Sequence, residues 1–391
     1  SLPSVQGIDT KTSDVIVIGA GIVGLAVAHS LLLTGNSVRI IEQSEPGTGQ
    51  STRTGGGIRL AHGSEINVRL AQLSLPTWLA FEQQFGIDPY YQETGHLFLS
   101  SKDGRGLATQ ADLLESLGVH CDVLSNEEIS LRWPELSPMN FAIGNYCKTG
   151  GYLDQHRVVK GFTQTVRAGG AHLELCTRVE GLLRDGDRIT GVHTSEGPYT
   201  SETVVNAAGA HAGVISALAG LEIPFVSRRH ELLILEQAVR VPEGIPWLID
   251  IDRQVHMRPD GSGRALLGGF LGCDDPDDPD DYDPALSERW STAVRAQSSQ
   301  SFRLSRPDSP VQAGWAGLYP GTIDYLPVLE QSMPGLVTAA GFSGTGLMHA
   351  PAVGQIVADL ICGRSIDGID ISCLQSSRFD NQPTVAEFTG F

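Results

Sequence analysis

The stretch DVIVIGAGIVGLAVAHSLLLTGNSVRIIE, residues 14–42, decides the fold. Residues 14–18, apolar from Val15 to Ile18, read as a short buried strand. The apolar pattern after Gly21 continues to Leu33, too long for a strand and suited to a helix. Gly35 marks the helix stop, and VRIIE at 38–42 reads as a second strand. Gly19, Gly21 and Gly24 carry the GxGxxG spacing at the first turn of this β-α-β unit. There the first glycine allows a sharp turn, the second lets a pyrophosphate approach the backbone, and the third permits close helix packing. The helix N-terminus, with Ile22 and Val23, offers N–H groups and the positive end of a dipole. Glu42 lies 23 positions beyond Gly19, suitably placed to hold a ribose diol, with Gln43 beside it. GxGxxG alone is a weak signal, and its bland reading is a turn whose glycines serve packing only. Strand, glycines, helix, strand and acid together predict dinucleotide binding. Glu42 opposes a 2′-phosphorylated ribose, but it does not separate NAD from FAD.

Working outward, the chain has 391 residues, enough for two to three domains, and is 41% hydrophobic, enough for a substantial core. Glycine fills 46 positions, about 12% against roughly 7% ordinarily, without a collagen period, so the surplus belongs to turns and close backbone approaches. The net charge of −18 argues against general nucleic-acid binding. No apolar run reaches membrane-spanning length, and the opening SLPSVQGIDTKTSD lacks a secretory layout. Cys121, Cys147, Cys176, Cys273, Cys362 and Cys373 are scattered without a CxxC pair, which reads as reduced thiols in a cytoplasmic protein.

Just beyond the β-α-β unit, GQSTRTGGGIRL at 49–60 places Thr52, Arg53, Gly56 and Gly57 in a segment able to run close beside a cofactor; a surface linker is the bland alternative. Arg59, between Ile58 and Leu60, is a candidate for binding an anionic substrate, with a structural salt bridge as its alternative. Helical patterning follows over 66–84, then a strand HLFLS, and then helix, strand and helix through ADLLESLGVHCDVLSNEEIS. A helix near 154–168 and a strand near 172–176 return to α/β character, and Asp185–Gly186 signals a hairpin turn. Val179 is expected to offer a backbone edge to adenine. The small residues ending VVNAAGA, including Ala208 and Gly209, are expected to lie beneath adenine or pyrophosphate; sheet packing is the alternative for each. RRHELLILE, PWLID, VHMRP and RALLGG suit successive strands of an antiparallel sheet facing a ligand cavity, with His256 pointing inward or else serving as a hydrogen-bonded structural residue. Arg258 is read as holding the following RPDG turn, with a carboxylate contact as its alternative. The run CDDPDDPDDYDP at 273–284 has seven Asp residues but no EF-hand order, and reads as a solvated loop.

Near the C-terminus a strand at 336–340 leads into Gly341, Ser343, Gly344, Thr345, Gly346 and Leu347 and then a helix. This second close-approach turn at a helix N-terminus suits a flavin, whose N1–C2 carbonyl region gains negative charge on reduction. A nicotinamide domain has little need for it, so FAD is the expected cofactor.

With VIGAGIVGLAVA, STRTGGGIRLAHG, GGYLD, VVNAAGAHA, WAGLYPGTIDYLPVLE and GFSGTGLMHAPAVG assembled, the chain resembles the D-amino-acid-oxidase-like flavoproteins over residues 12–365. More narrowly it is similar to the sarcosine oxidase, glycine oxidase and L-proline dehydrogenase beta-subunit group. The resemblance implies an α/β and α+β chain, in which a Rossmann-like FAD-binding domain (1–84, 149–222 and 326–391) interweaves with a mixed-sheet substrate domain (85–148 and 223–325). It implies oxidation of the C–N bond of a small secondary or N-methylated amino acid by hydride transfer to flavin N5 and imine hydrolysis. Oxygen or a separate electron acceptor then reoxidises the flavin, in a homo- or hetero-oligomer. No protein proton-abstracting residue is demanded.

Arg59 matches the carboxylate-gripping arginine of the sarcosine-oxidase type. A lysine of that type corresponds to Met348, the arginine of a W-A-G-L-R-P motif to Tyr319, a second substrate arginine to Ser343, and a flavin-bearing cysteine to Gly317. Noncovalent FAD is therefore expected, with Tyr319 hydrogen-bonding substrate and Met348 shaping an apolar wall or packing in the core. RALLGG lacks the lysine that promotes oxygen reaction in some oxidases, which leaves a dehydrogenase equally open. Oxidation of a 2-hydroxy acid and a noncatalytic flavin-bearing subunit remain the alternatives.

Overall fold

The structure, a computed structural model, describes residues 11–102, 104–136, 141–236, 240–272, 275–366 and 368–380; Cys273, Asp274 and the first ten residues lie outside these. The opening β-α-β unit forms as its pattern dictates: strand Thr12–Ile18, helix Ile22–Leu33 and strand Val38–Ile41, paired in parallel. Strand Thr12–Ile18 is central because its apolar residues are buried on both faces, as a parallel strand covered by helices requires. On its other side lies Gly197–Asn206, also parallel, followed by Leu336–Ala340 and the antiparallel edge strand Val328–Met333. His172–Glu174 extends the opposite edge, and the hairpin Val179–Asp185/Arg188–Thr194 attaches to Gly197–Asn206. This is an eight-stranded sheet drawn from the first, middle and last parts of the chain.

A second eight-stranded sheet runs Val311–Thr322, Phe225–Leu235, Ala265–Gly269, Val255–Pro259, Trp247–Asp250, His96–Ser100, Ile143–Cys147 and Cys121–Ser125. The four strands read from 228–269 are present. They pair antiparallel with one another as read, and Trp247–Asp250 also pairs in parallel with His96–Ser100, so two antiparallel blocks meet there and the sheet is mixed. Its long partner Val311–Thr322 and the helix Glu288–Ser301, which covers it with Trp290 and Val294, extend beyond the sequence reading. A two-stranded ribbon, Gly57–Arg59 with Gly150–Tyr152, sets Arg59 opposite Gly150.

Close packing holds helix Ile22–Leu33 against the C-terminal helix Gly346–Ile361. A Cβ at Gly354 would fall 2.5 Å from the Ala26 carbonyl oxygen, so this crossing admits no side chain. Val23, Ala26 and Val27 join Ala350, Val353 and Val357 in one buried cluster. That contact points both helix N-termini the same way. Cys121 and Cys147 stand directly opposite each other on adjacent strands, and the described cysteines are free. Among the described residues no helix is long and apolar enough to cross a membrane.

Candidate active site

The two helix N-termini open onto one cavity of about 190 Å³. Of the residues singled out above, Gly19, Gly21, Ile22, Val23, Glu42, Gln43, Arg53, Ala208, Gly209, Gly341, Gly344, Gly346 and Leu347 line it. Neither helix has a side-chain cap at its first turn, so the helix ends face the cavity with backbone and glycine. The Ile22 N–H donates to Ser51 Oγ at 2.8 Å, and a Cβ at Gly21 would meet that oxygen at 3.1 Å. Gly19 and Gly24 each fill a place that admits no side chain. Gly19 has φ +104°, and a side chain there would also collide with the Ala207 carbonyl; one at Gly24 would strike the Gly19 carbonyl.

At one end, Glu42 and Gln43 pass from this cavity into a side pocket of about 60 Å³ lined by Val179, Thr177 and Ala208. Glu42 Oε2 accepts from Ala20 N–H at 2.8 Å and Oε1 from Ser44 N–H at 2.9 Å, which fixes the carboxylate at the turn.

At the other end, a chamber of about 60 Å³ shares His256, Phe270, Leu232, Tyr319, Gly344 and Leu347 with the main cavity. Arg59, Met348, His96, Trp247 and Gly57 complete its wall. The structure thus brings the four residues predicted to meet substrate into one chamber. Arg59 is buried, with its guanidinium 6.0 Å from the Phe98 ring. Tyr319 lies over His230, with ring centroids 3.9 Å apart. Its ring needs the space left by Gly344, where φ is +91° and a Cβ would sit 2.5 Å away. Met348 serves both readings offered for it: it walls the chamber and also packs in the core, its carbonyl accepting from Trp78 Nε1 at 3.1 Å.

Five predicted cofactor residues lie behind the cavity wall instead of on it. Gly24 packs helix on strand. Thr52 donates its hydroxyl to the Gly47 carbonyl at 2.8 Å. Gly56, at φ +74°, lies against the Leu153 carbonyl. Ser343, at φ +52°, ties its N–H to the Pro320 carbonyl at 2.8 Å, and Thr345 Oγ1 donates to Phe342 O at 2.7 Å. Thr52, Gly56, Ser343 and Thr345 shape turns that carry lining residues, and Gly24 packs the helix that does. Arg258 is also structural: its Nε and Nη2 donate to Gly55 O at 2.9 and 2.7 Å.

Electrostatically the chamber is a cation among neutral imidazoles. His96 and His256 are pushed down to about 3, first by burial and then by the nearby Arg59 charge, with Arg258 acting on His256 before Arg59. His349 is likewise held at about 3 by burial and Arg59, and His230 at about 3 by burial, His256 and Arg228. His62 is lowered by the same two causes as His349. Burial also lowers Arg258 to about 10, leaving it charged.

The sequence reading missed His96, Trp247, His230, Phe270, Ser51, Gln50 and His211. Ser51 and Gln50 sit inside the quoted GQSTRTGGG segment and were within reach. His96, Trp247 and His230 carry no local signal because sheet pairing turns them inward, while Phe270 and His211 lie just past a strand end and in a short helical turn.

From Asp275 on, the acidic run is largely exposed, but it is also anchored; Cys273 and Asp274 lie outside the described residues. Asp280 meets His211 at 2.8 Å and Arg178 at 3.4 Å, and Tyr282 accepts from Gln50 Nε2 at 3.4 Å. Among the described residues no acid, histidine or cysteine cluster is arranged for a metal ion.

The cavity's form, glycine walls between two helix N-termini with a carboxylate toward one end, fits a flavin dinucleotide. A sequence profile described as FAD dependent oxidoreductase matches residues 14–360. The chain is 28% identical over 363 residues to glycine oxidase of Pseudomonas aeruginosa, covering 90% of this chain and 95% of that one. It is 25% identical over 386 residues to 4-methylaminobutanoate oxidase (formaldehyde-forming) of Paenarthrobacter nicotinovorans, covering 93% of this chain but only 45% of that longer protein. Among solved structures, L-proline dehydrogenase from P. horikoshii superposes with a TM-score of 0.85 at 28% identity, over 95% of this chain and 98% of that one. Because the profile runs from the first strand into the last helix, through the segments that build the cavity, the chain belongs to the FAD dependent oxidoreductase family.

Proposed function

We propose that this FAD-dependent enzyme oxidises the C–N bond of a small secondary or N-methylated amino acid, sarcosine- or proline-like, passing electrons on to oxygen or a separate acceptor. The observation that carries this reading is buried Arg59 in a chamber that shares its walls with the cofactor cavity. The names of the similar proteins agree with it: glycine, 4-methylaminobutanoate and proline are amino acids, the last two with a secondary amine.

FAD, when bound, supplies the two-electron oxidation, taking hydride from the carbon beside nitrogen. Gly19, Gly21 and the N-terminus of helix Ile22–Leu33 would hold its pyrophosphate, Glu42 its ribose, the Val179 pocket its adenine, and Gly341 to Leu347 its reactive ring. No cysteine is among the described residues of the cavity wall, which supports noncovalent binding. The first sheet with its helices would form the cofactor-binding domain and the second the substrate domain, divided at the boundaries given above.

In the chamber, Arg59 binds the substrate carboxylate, and its planar fork orients the amino acid. Tyr319 and neutral His256 offer further hydrogen bonds. Leu232, Ile249, Phe270 and Met348 exclude water from the rest of the substrate. A buried cation and apolar walls both disfavour an ammonium group, so the chamber favours the neutral amine whose lone pair supports iminium formation. Released imine is hydrolysed by water. No residue need abstract a proton from carbon.

Anaerobic mixing with a panel of sarcosine, L-proline, glycine, other N-methyl amino acids and 2-hydroxy acids tests the reading. Bleaching of flavin absorbance by a secondary amino acid is expected. Bleaching by a 2-hydroxy acid alone, or by none of the panel, overturns it. Subsequent oxygen addition separates oxidase from dehydrogenase behaviour through the reoxidation rate.

A further inference from the structure

The chamber around Arg59 is organised by a side chain that carries no charge. Trp247 begins the strand Trp247–Asp250, and its indole meets three separate parts of the site. Nε1–H donates to His256 Nδ1 at 3.2 Å. The ring stacks on His96, with centroids 5.5 Å apart and planes 20° from parallel. Its outer edge fills the space beside the triple glycine: a Cβ at Gly55 would lie 2.7 Å from the indole, and one at Gly57 3.1 Å. The ring thus gives two of the three consecutive glycines a steric reason of their own. Arg258 closes the arrangement, its guanidinium 5.4 Å from the indole while it grips Gly55 O.

We propose that Trp247 is a positioning residue whose indole N–H locks His256 as the Nε2–H tautomer, fixing a hydrogen-bond donor where the cofactor cavity and the amino-acid chamber meet. A neutral imidazole has one donor and one acceptor, and indole is a donor only. The 3.2 Å bond therefore uses the Nδ1 lone pair and places the proton on Nε2. The neighbouring strand leaves room at that end of the ring, since any side chain at Gly268 would collide with Cε1 and Nε2. The charged and titratable groups facing His256 are Arg258 on its own strand, Arg59 on the ribbon, and His96 and His230, each on the next strand but one to either side. None is an anion, and burial with the two arginines keeps the ring neutral. A neutral donor beside Arg59 suits a second contact to a carboxylate oxygen. This deepens the amino-acid reading and rests on it for the nature of the acceptor.

The test uses the FAD-loaded enzyme labelled with ¹⁵N-histidine, the His256 signals being those lost in His256→Gln. Between about pH 6 and pH 9 the wild-type protein should show protonated Nε2 and bare Nδ1. Trp247→Phe keeps a ring against His96 and the glycines but removes the donor. It should give a tautomer mixture, an unchanged FAD content, a KM for the carboxylated substrate raised about 10-fold, and kcat changed far less. Weakened acetate binding, read from flavin absorbance, should accompany it. Protonated Nδ1 in the wild-type enzyme overturns the proposal without any variant, so it stays decidable even if Trp247→Phe does not fold. An unchanged tautomer, KM and acetate affinity in a folded Trp247→Phe also overturns it. If no amino acid bleaches the flavin but the tautomer and acetate results hold, the substrate reading fails and the positioning role stands.

Discussion

Arg59 carries the substrate reading, and it was legible because a cation between Ile58 and Leu60, next to a glycine run, is out of place unless it has a task. Its neighbours were not legible. His96 reaches the chamber because His96–Ser100 pairs in parallel with Trp247–Asp250, which sets His96 opposite Trp247 across 151 residues of chain. No local spacing encodes such a pairing. Glu42 shows a partial reading of another kind. The spacing placed it at the ribose end, while the structure adds that it already holds the Ala20 and Ser44 N–H groups. Arg59→Lys provides the residue-scale prediction. Lysine keeps the charge but loses the planar two-pronged donor, so positioning should suffer more than attraction. KM for the carboxylated substrate should rise about 10-fold, and about 100-fold or more in Arg59→Ala, as for removing one partner of a buried charged pair. A decarboxylated amine of the same skeleton should be used with nearly unchanged efficiency by both variants. Steady-state kinetics on the matched pair checks this; equal losses on both amines would assign Arg59 a structural role.

The elements that carry periodicity were the readable ones: helix Ile22–Leu33, helix Gln155–Ala168 and the hairpin turning at Gly186 all stand where their patterns put them. Helix Glu288–Ser301 was not read because its sequence, ERWSTAVRAQSSQS, has few apolar anchors; Ser298 and Ser301 are buried there through hydrogen bonds to Ser305 and Asp250. The glycine run 55–57 reads as a cofactor approach, and Trp247, 192 and 190 positions beyond Gly55 and Gly57, gives both a steric reason that no local pattern shows. The acidic segment shows what composition hides. Asp277 N–H bonds Ser227 O at 2.8 Å near its start, and Ala285 bridges Trp315 at its end. Between these anchors Asp280 clasps His211, which lines both the main cavity and the side pocket, and Arg178 beside Val179. Hydrogen bonding to His211, with the His211 and Arg178 charges behind it, holds the Asp280 carboxyl below its ordinary range. A strap anchored on one sheet therefore clips onto the cofactor side of the other. Asp280→Ala should speed FAD dissociation about threefold, the modest effect expected of a half-exposed ion pair. High salt should speed the wild-type enzyme toward the variant's rate, and recovery of free-flavin fluorescence after dilution measures both. Identical dissociation rates in low salt would reduce the strap to surface packing.

At the scale of the whole molecule, the two sheets meet over buried histidines whose protonation the fold disfavours. His62 follows the ribbon strand Gly57–Arg59 and His349 lies on the C-terminal helix; His96, His230 and His256 lie on the second sheet. His96, His230, His256 and His349 sit at about 3 in the folded chain against 6.5 ordinarily, and His62 is also held low. Below pH 6.5 the unfolded chain takes up protons that the folded chain refuses, so stability falls with falling pH over this window. Each such histidine costs about 1.4 kcal/mol per pH unit there. Asp252, Asp260 and Asp324, held below their ordinary range, add losses in the same direction at lower pH. The net charge of −18 opposes this, because acidification relieves the repulsion among carboxylates. Those charges are mostly exposed and screened within about 8 Å at physiological salt, so the buried histidines should win. Tm should therefore fall steadily between about pH 7 and pH 5, with several protons taken up per molecule unfolded near pH 5. FAD release should track the same transition, since these side chains line or adjoin the cavity where both sheets contribute walls. Calorimetry in buffers of different ionisation enthalpy reads the proton count directly. A Tm that stays flat across this range would mean that the histidines titrate normally, and that the chamber around Arg59 is wet.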